Sequence, residues 1–145
     1  MATDRNAKVT WTGSLMDGSG RIEGVGSGAF GPLDVTWASR AEEPQGRTSP
    51  EELIAAAWAS CFSMALSHGL AGAGTPPERL ETSATVTFQP GEGIIRGAIE
   101  VVGTVSGLDH DGFVAQAEAA VANCPVSKAL TGVPEVTVSA TLATT

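Results

Sequence analysis

Cys61 and Cys124 are the only two cysteines in the chain, and they are the side chains able to carry thiol redox chemistry. If the fold brings them together, one serves as a reactive thiol and the other traps its oxidised form as a disulfide, the chemistry of a thiol peroxidase. Cys61 lies deep in the apolar run from Leu53 to Leu66. At that depth the field of a helix N-terminus has faded, so a thiolate there needs a discrete cation. Cys124 heads the run Cys124-Pro125-Val126-Ser127-Lys128-Ala129-Leu130. Pro125 suits a first helical position, which makes Cys124 the N-cap of a short helix over 125–131 and favours its thiolate. The competing reading is structural: cysteines are among the most buried residue types, and Cys-Pro marks a break between helices.

The candidate cations are Arg40, Arg21 and Arg47, each of which could equally be a solvated surface residue. Arg40 is expected at the end of the third strand. Glu51 is either an acidic residue favoured by a helix N-terminus or the carboxylate that orients an arginine. An arginine so held stabilises a thiolate and then hydrogen-bonds peroxide oxygens as the O–O bond breaks. Ten helical residues separate Glu51 from Cys61, about 15 Å of axial rise. A Glu51-held arginine therefore suits the Cys61 of a second subunit, and a shared site in a dimer is expected. His68 stands about 10 Å from Cys61 on the same helix, too far for an ion pair. His110 falls in a solvated Gly/Asp turn. No metal-ligand spacing and no phosphate-binding glycine motif is present, so neither a metal nor a nucleotide cofactor is expected.

The elements that position these residues follow from periodicity. Segments 8–12, 21–25 and 33–37 alternate at period two between Gly/Ser/Asp clusters and predict an antiparallel meander. Ser49, Pro50 and Glu52 announce a capped helix, with Glu52 completing a capping box. The helix over 50–70 is apolar around most of its circumference, as for a helix buried between layers. Strands follow at 80–89 and 94–106, then a helix over 109–123 with Phe113, Ala117 and Val121 on one face, and a last strand over 133–142. The order is that of an α+β fold with hairpin links.

The 145 residues suit a single domain, 1–145, or a protomer that completes its core in an oligomer. A net charge of −8 with no basic cluster argues against nucleic acid and anionic membranes as partners. No stretch approaches 18 uninterrupted apolar residues, and residues 1–8 lack the apolar core of a signal peptide. A cytoplasmic location is expected.

Thr48-Ser49-Pro50-Glu51-Glu52-Leu53-Ile54 through Cys61-Phe62-Ser63-Met64-Ala65-Leu66 closely resembles the first signature of the OsmC/Ohr superfamily, and the run from Cys124 to Leu130 resembles the second. Trp11-Thr12-Gly13 and Ser39-Arg40 extend the likeness over nearly the whole chain. The resemblance implies an OsmC-like α+β fold, with antiparallel sheets around two central buried helices, in an intertwined homodimer. It implies hydroperoxide reduction in oxidative or osmotic stress defence, with Cys61 peroxidatic, Cys124 resolving and Glu51 the family carboxylate. The arginine follows the branch: Arg40 matches the osmotically inducible branch, and Arg21 lies near the position used by the organic hydroperoxide branch. The run Phe62 to Leu66 favours the former and hence Arg40. An external dithiol, for the organic hydroperoxide branch a lipoylated protein, is the implied reductant. The osmotically inducible branch usually carries His three residues before the reactive cysteine, where this chain has Trp58, which is expected to give the pocket an apolar rim suited to bulky organic peroxides. The rival reading is a non-catalytic dimeric protein that binds an apolar ligand.

Overall fold

The computed structural model describes residues 1–143, in the order β1 (Ala7–Thr12), β2 (Ser19–Val25), β3 (Leu33–Val35), α1 (Trp37–Ala41), α2 (Pro50–Gly72), β4 (Arg79–Gln89), β5 (Gly93–Thr104), α3 (His110–Asn123), α4 (Pro125–Ala129) and β6 (Glu135–Leu142). The α+β class expected from the sequence holds. Two compact units divide the chain, Met1–Leu53 and the residues from Ile54 onward.

In the first unit β1, β2 and β3 form an antiparallel meander. Gly20 sits opposite Trp11, and a Cβ there would meet the indole ring, so the glycine makes room for the aromatic side chain. The sheet leaves much apolar surface open: Val9, Trp11, Leu15, Met16 and Phe30 are all exposed, and every residue of β1 is exposed. The third strand ends at Val35, short of the expected Trp37. Thr36 instead caps α1: its hydroxyl accepts the Ser39 amide while the Ser39 hydroxyl accepts the Thr36 amide. That reciprocal pair satisfies two amides at the helix start and outcompetes extension of the strand. Arg40 therefore stands on a one-turn helix and not at a strand end.

In the second unit β4 and β5 form a long antiparallel hairpin, and β6 pairs with β5 in parallel. This sheet is mixed, where antiparallel pairing was expected throughout, because α3 and α4 lie between β5 and β6 in the chain. A strand that returns through helices can run parallel to the one it left; a tight hairpin cannot. Trp58, Phe62, Leu66 and Leu70, spaced by four along α2, are fully buried. They meet Ile99 and Val101 of β5 and Phe113, Ala117 and Ala120 of α3 in one core. Burying each large side chain stabilises the fold by about 1.5–3 kcal/mol. α2 is apolar enough by length and composition to cross a membrane, with a mean hydropathy of 1.4. Its fully buried residues form one stripe, flanked by the partly buried Cys61 and Ala65, and Met64 on another face is 72% exposed.

Candidate active site

Arg40 and Glu51 meet within the first unit. The Ser39 hydroxyl lies 2.9 Å from the carbonyl of Thr48, and the Thr48 amide donates to the carbonyl of Asp34 at 3.1 Å. These bonds tie α1 and β3 to the residues that lead into α2, so the residue after Ser39 faces the first turn of that helix. Arg40 donates from Nε and Nη2 to Oε1 of Glu51 at 2.9 and 2.8 Å, and from Nε to Oε2 at 3.2 Å. The Glu51 side chain is 7% exposed and that of Arg40 33%. Ser49 accepts the Glu52 amide at 3.2 Å as a cap should, but the Glu52 carboxylate takes the Thr48 hydroxyl at 3.0 Å, a departure from the reciprocal box expected there. Arg21, the alternative cation, lies on β2 with its side chain 56% exposed, and its nearest carboxylate is Glu23 at 3.7 Å. Arg47 is exposed in the loop before α2.

Cys61 and Cys124 meet within the second unit. Both are free thiols, Cys61 half-buried on α2 and Cys124 fully buried between α3 and α4. Cys124 ends α3 and is the N-cap of α4, with Pro125 at the first helical position, as the sequence predicts. Burial pushes the Cys61 thiol up, as does its hydrogen bond with Cys124, while the Val126 amide pulls the other way. Burial also works upward on Cys124. The hydrogen bond from Cys61, the amide and hydroxyl of Ser127 and the Val126 amide together outweigh it, and Cys124 ionises below the ordinary cysteine range. The thiols thus form an unequal pair, Cys61 pushed up by burial and Cys124 drawn down by its hydrogen-bond donors.

Trp58 corrects an expectation. It is fully buried, so it supplies no pocket rim. Its ring lies where a Cβ on Gly97 of β5 would be, and its Nε1–H donates to Oγ of Ser127 at 2.7 Å. Ser127 was not singled out as a site residue, although its place three residues after Cys124 is where an N-cap sulfur meets a helix amide. His68 and His110 are both exposed.

The chain as a whole is similar to known proteins. A family model described as OsmC-like protein matches residues 43–139. Peroxiredoxin OsmC of Escherichia coli (strain K12) is 35% identical over 133 residues, covering 90% of this chain and 92% of its own. Among solved structures, the organic hydroperoxide resistance protein OhrB of Bacillus subtilis is similar with a TM-score of 0.63 at 28% identity, covering 95% of this chain and 98% of its own. An OsmC-like protein from Mycoplasma pneumoniae shares the fold with a TM-score of 0.69 at 14% identity, covering 98% of this chain and 100% of its own. With a family model matched over most of its length and a curated relative at this identity, the chain belongs to the OsmC family.

Proposed function

We propose that this protein is a cysteine-based peroxidase that reduces organic hydroperoxides, and hydrogen peroxide as well, through Cys61 and Cys124. The observation that carries the reading is the contact between two free thiols from separate helices, one of them within reach of solvent. Cys61 thiolate attacks the distal oxygen of the hydroperoxide; the O–O bond breaks, the alkoxide leaves and takes a proton to become an alcohol, and Cys61 becomes a sulfenic acid. Cys124 thiolate then attacks the Cys61 sulfur and displaces hydroxide, which is protonated to water, and the disulfide blocks over-oxidation. An external dithiol restores both thiols by exchange.

Burial disfavours the Cys61 thiolate, so a cation must offset it. Arg40, oriented by Glu51, is the best prepared of the arginines, and Arg21 is the alternative. Because ten helical residues, about 15 Å of rise, separate Glu51 from Cys61, the arginine is assigned to the thiols of the partner in a homodimer. The exposed apolar side chains of the first unit and Met64 of α2 are consistent with surface that a second copy covers.

The test is to add one equivalent of cumene hydroperoxide to the reduced protein, count free thiols and map disulfide-linked peptides. Both thiols should disappear into a Cys61–Cys124 bond, and Cys61→Ser should consume no peroxide. Inert thiols, the behaviour of a non-catalytic ligand binder, or normal peroxide consumption by Cys61→Ser, would sink the reading.

A further inference from the structure

We propose that Trp58 and Ser127 are positioning residues: their hydrogen bond holds α4 in the register at which Cys124 faces Cys61, and so sets how readily the two sulfurs close into a disulfide. The proposal rests on the peroxidase reading for its purpose and on the hydrogen bond for its physical content. The Trp58 Nε1–H donates to the Ser127 Oγ at 2.7 Å and joins α2 to α4. Trp58 stands three residues before Cys61, and Ser127 three residues after Cys124. Three residues are close to one helical turn, about 4.5 Å of rise. The Trp58–Ser127 bond and the contact between the thiols are therefore one turn apart on both segments, counted in opposite directions. They belong to a single antiparallel register.

Cys124 needs that support because it is the joint between two helices. Its amide donates to the Ala120 carbonyl of α3 at 2.8 Å, and its carbonyl accepts the Lys128 amide of α4 at 3.0 Å. The first side is secured by the core, where Phe113, Ala117 and Ala120 of α3 are buried. The second side is a five-residue helix with no buried residue, too short to hold itself. Val126 and Leu130 lean on the core from partly buried positions, but apolar contact is non-directional and tolerates sliding. A hydrogen bond does not. Trp58 is a firm anchor for it: the residue is fully buried, and its ring lies against Gly97 of β5. Disulfide closure needs a Cβ–Cβ separation within a window about 1 Å wide, while one residue of helical slip is about 1.5 Å. Losing the bond therefore lowers the fraction of reduced chains whose sulfurs are placed to react. In closure the Cys124 sulfur attacks the Cys61 sulfenic acid, the S–S bond forms, the S–O bond breaks, and the departing hydroxide is protonated to water.

The test equilibrates the full-length protein with glutathione and glutathione disulfide, and reads the effective concentration of the Cys61–Cys124 pair from the ratio of closed to open chains. Ser127→Ala should lower that concentration about fivefold, the scale of one hydrogen bond. Ser127→Thr keeps an acceptor oxygen and should recover most of the loss. Trp58→Phe should act in the same direction, and adding it to Ser127→Ala should cost less than the product of the two single effects. A residue of purely structural importance would lose stability to urea and leave this equilibrium where it was. An effective concentration unchanged or raised by Ser127→Ala, equal losses in Ser127→Ala and Ser127→Thr, or a parent that forms no Cys61–Cys124 bond, overturns the proposal whether or not Trp58→Phe folds. Strictly multiplicative effects would overturn it too. Cumene hydroperoxide added to the reduced parent decides the other reading: if Cys61 stays untouched, the peroxidase proposal fails, and the glutathione equilibria still decide the register.

Discussion

Arg40 grips Glu51 through two nitrogens on a single oxygen, Nε at 2.9 Å and Nη2 at 2.8 Å to Oε1. The carboxylate is almost completely buried and the guanidinium a third exposed, so the acid is the fixed partner and the base the one whose direction it sets. A fork of this kind fixes the plane of the guanidinium as well as its place.

Glu51→Gln keeps the shape of the side chain and removes the charge that holds the fork. Peroxide reduction, measured as kcat/KM for an organic hydroperoxide, should fall by about 10²-fold, the scale of losing one preorganised donor. Stability should fall by about 1–3 kcal/mol, between the values for exposed and buried pairs. Unchanged kinetics would remove Arg40 and Glu51 from the mechanism.

A site shared between subunits makes a sharper prediction. Arg40→Ala and Cys61→Ser chains are each expected to be inactive. Mixed and allowed to exchange, they form heterodimers in which one site has both an intact arginine and an intact cysteine. With random exchange in equal amounts, activity should return to about a quarter of the parent's. If the mixture stays inactive while exchange is demonstrated by mass spectrometry of the intact dimers, arginine and thiol do not meet across chains.

The unequal thiols predict a curved dependence of stability on pH for the reduced protein. Cys124 ionises more readily folded than unfolded, so its contribution rises with pH from its depressed value up to the ordinary cysteine range, and is lost as pH falls through the depressed value. Cys61 is the opposite: its contribution is intact below the ordinary range and is lost as pH climbs through its raised value. Urea unfolding across this window should show a maximum near the ordinary cysteine range. Cys124→Ser should remove the rising limb and Cys61→Ser the falling one; a flat profile in the parent contradicts both assignments.

Gly97 and Trp58 are coupled by space. A Cβ on Gly97 would come within 2.8 Å of the Trp58 ring. Gly97→Ala should therefore destabilise the protein by about 1–3 kcal/mol, the usual cost of overpacking a core. Combining it with Trp58→Phe should cost less than the sum of the two single changes, as a denaturant double-mutant cycle would show. Strict additivity would mean that the ring and the strand move apart freely.

Much of this was readable in the residues. The α2 helix, expected over 50–70, runs Pro50–Gly72, the helix expected over 109–123 runs His110–Asn123, and the Cys124-Pro125 break lies where capping chemistry puts it. Local signals sufficed because each of these elements is decided by a few adjacent residues. Arg40 was misplaced because Ser39 supplies the returning bond of the capping box, a role that Glu or Gln usually fills. Trp58 was misread because its environment depends on Gly97, a distant residue that nothing local connects to it. The parallel return of β6 was missed for a related reason. Strand alternation reports which face is buried and carries no information on direction.

The placement of Cys124 on the crossover between β5 and β6 bears on how the protein is made. Synthesis delivers the N-terminal segments first, so Cys61 leaves the ribosome on α2 well before α3, α4 and the strand that anchors them. Until α3 and α4 pack against α2, nothing holds Cys124 against Cys61. A peroxidatic cysteine in that interval can be oxidised yet has no neighbour to rescue it, and further oxidation takes it past the reversible stage. On the proposed function, the newborn chain is most vulnerable to the compounds that the finished enzyme destroys.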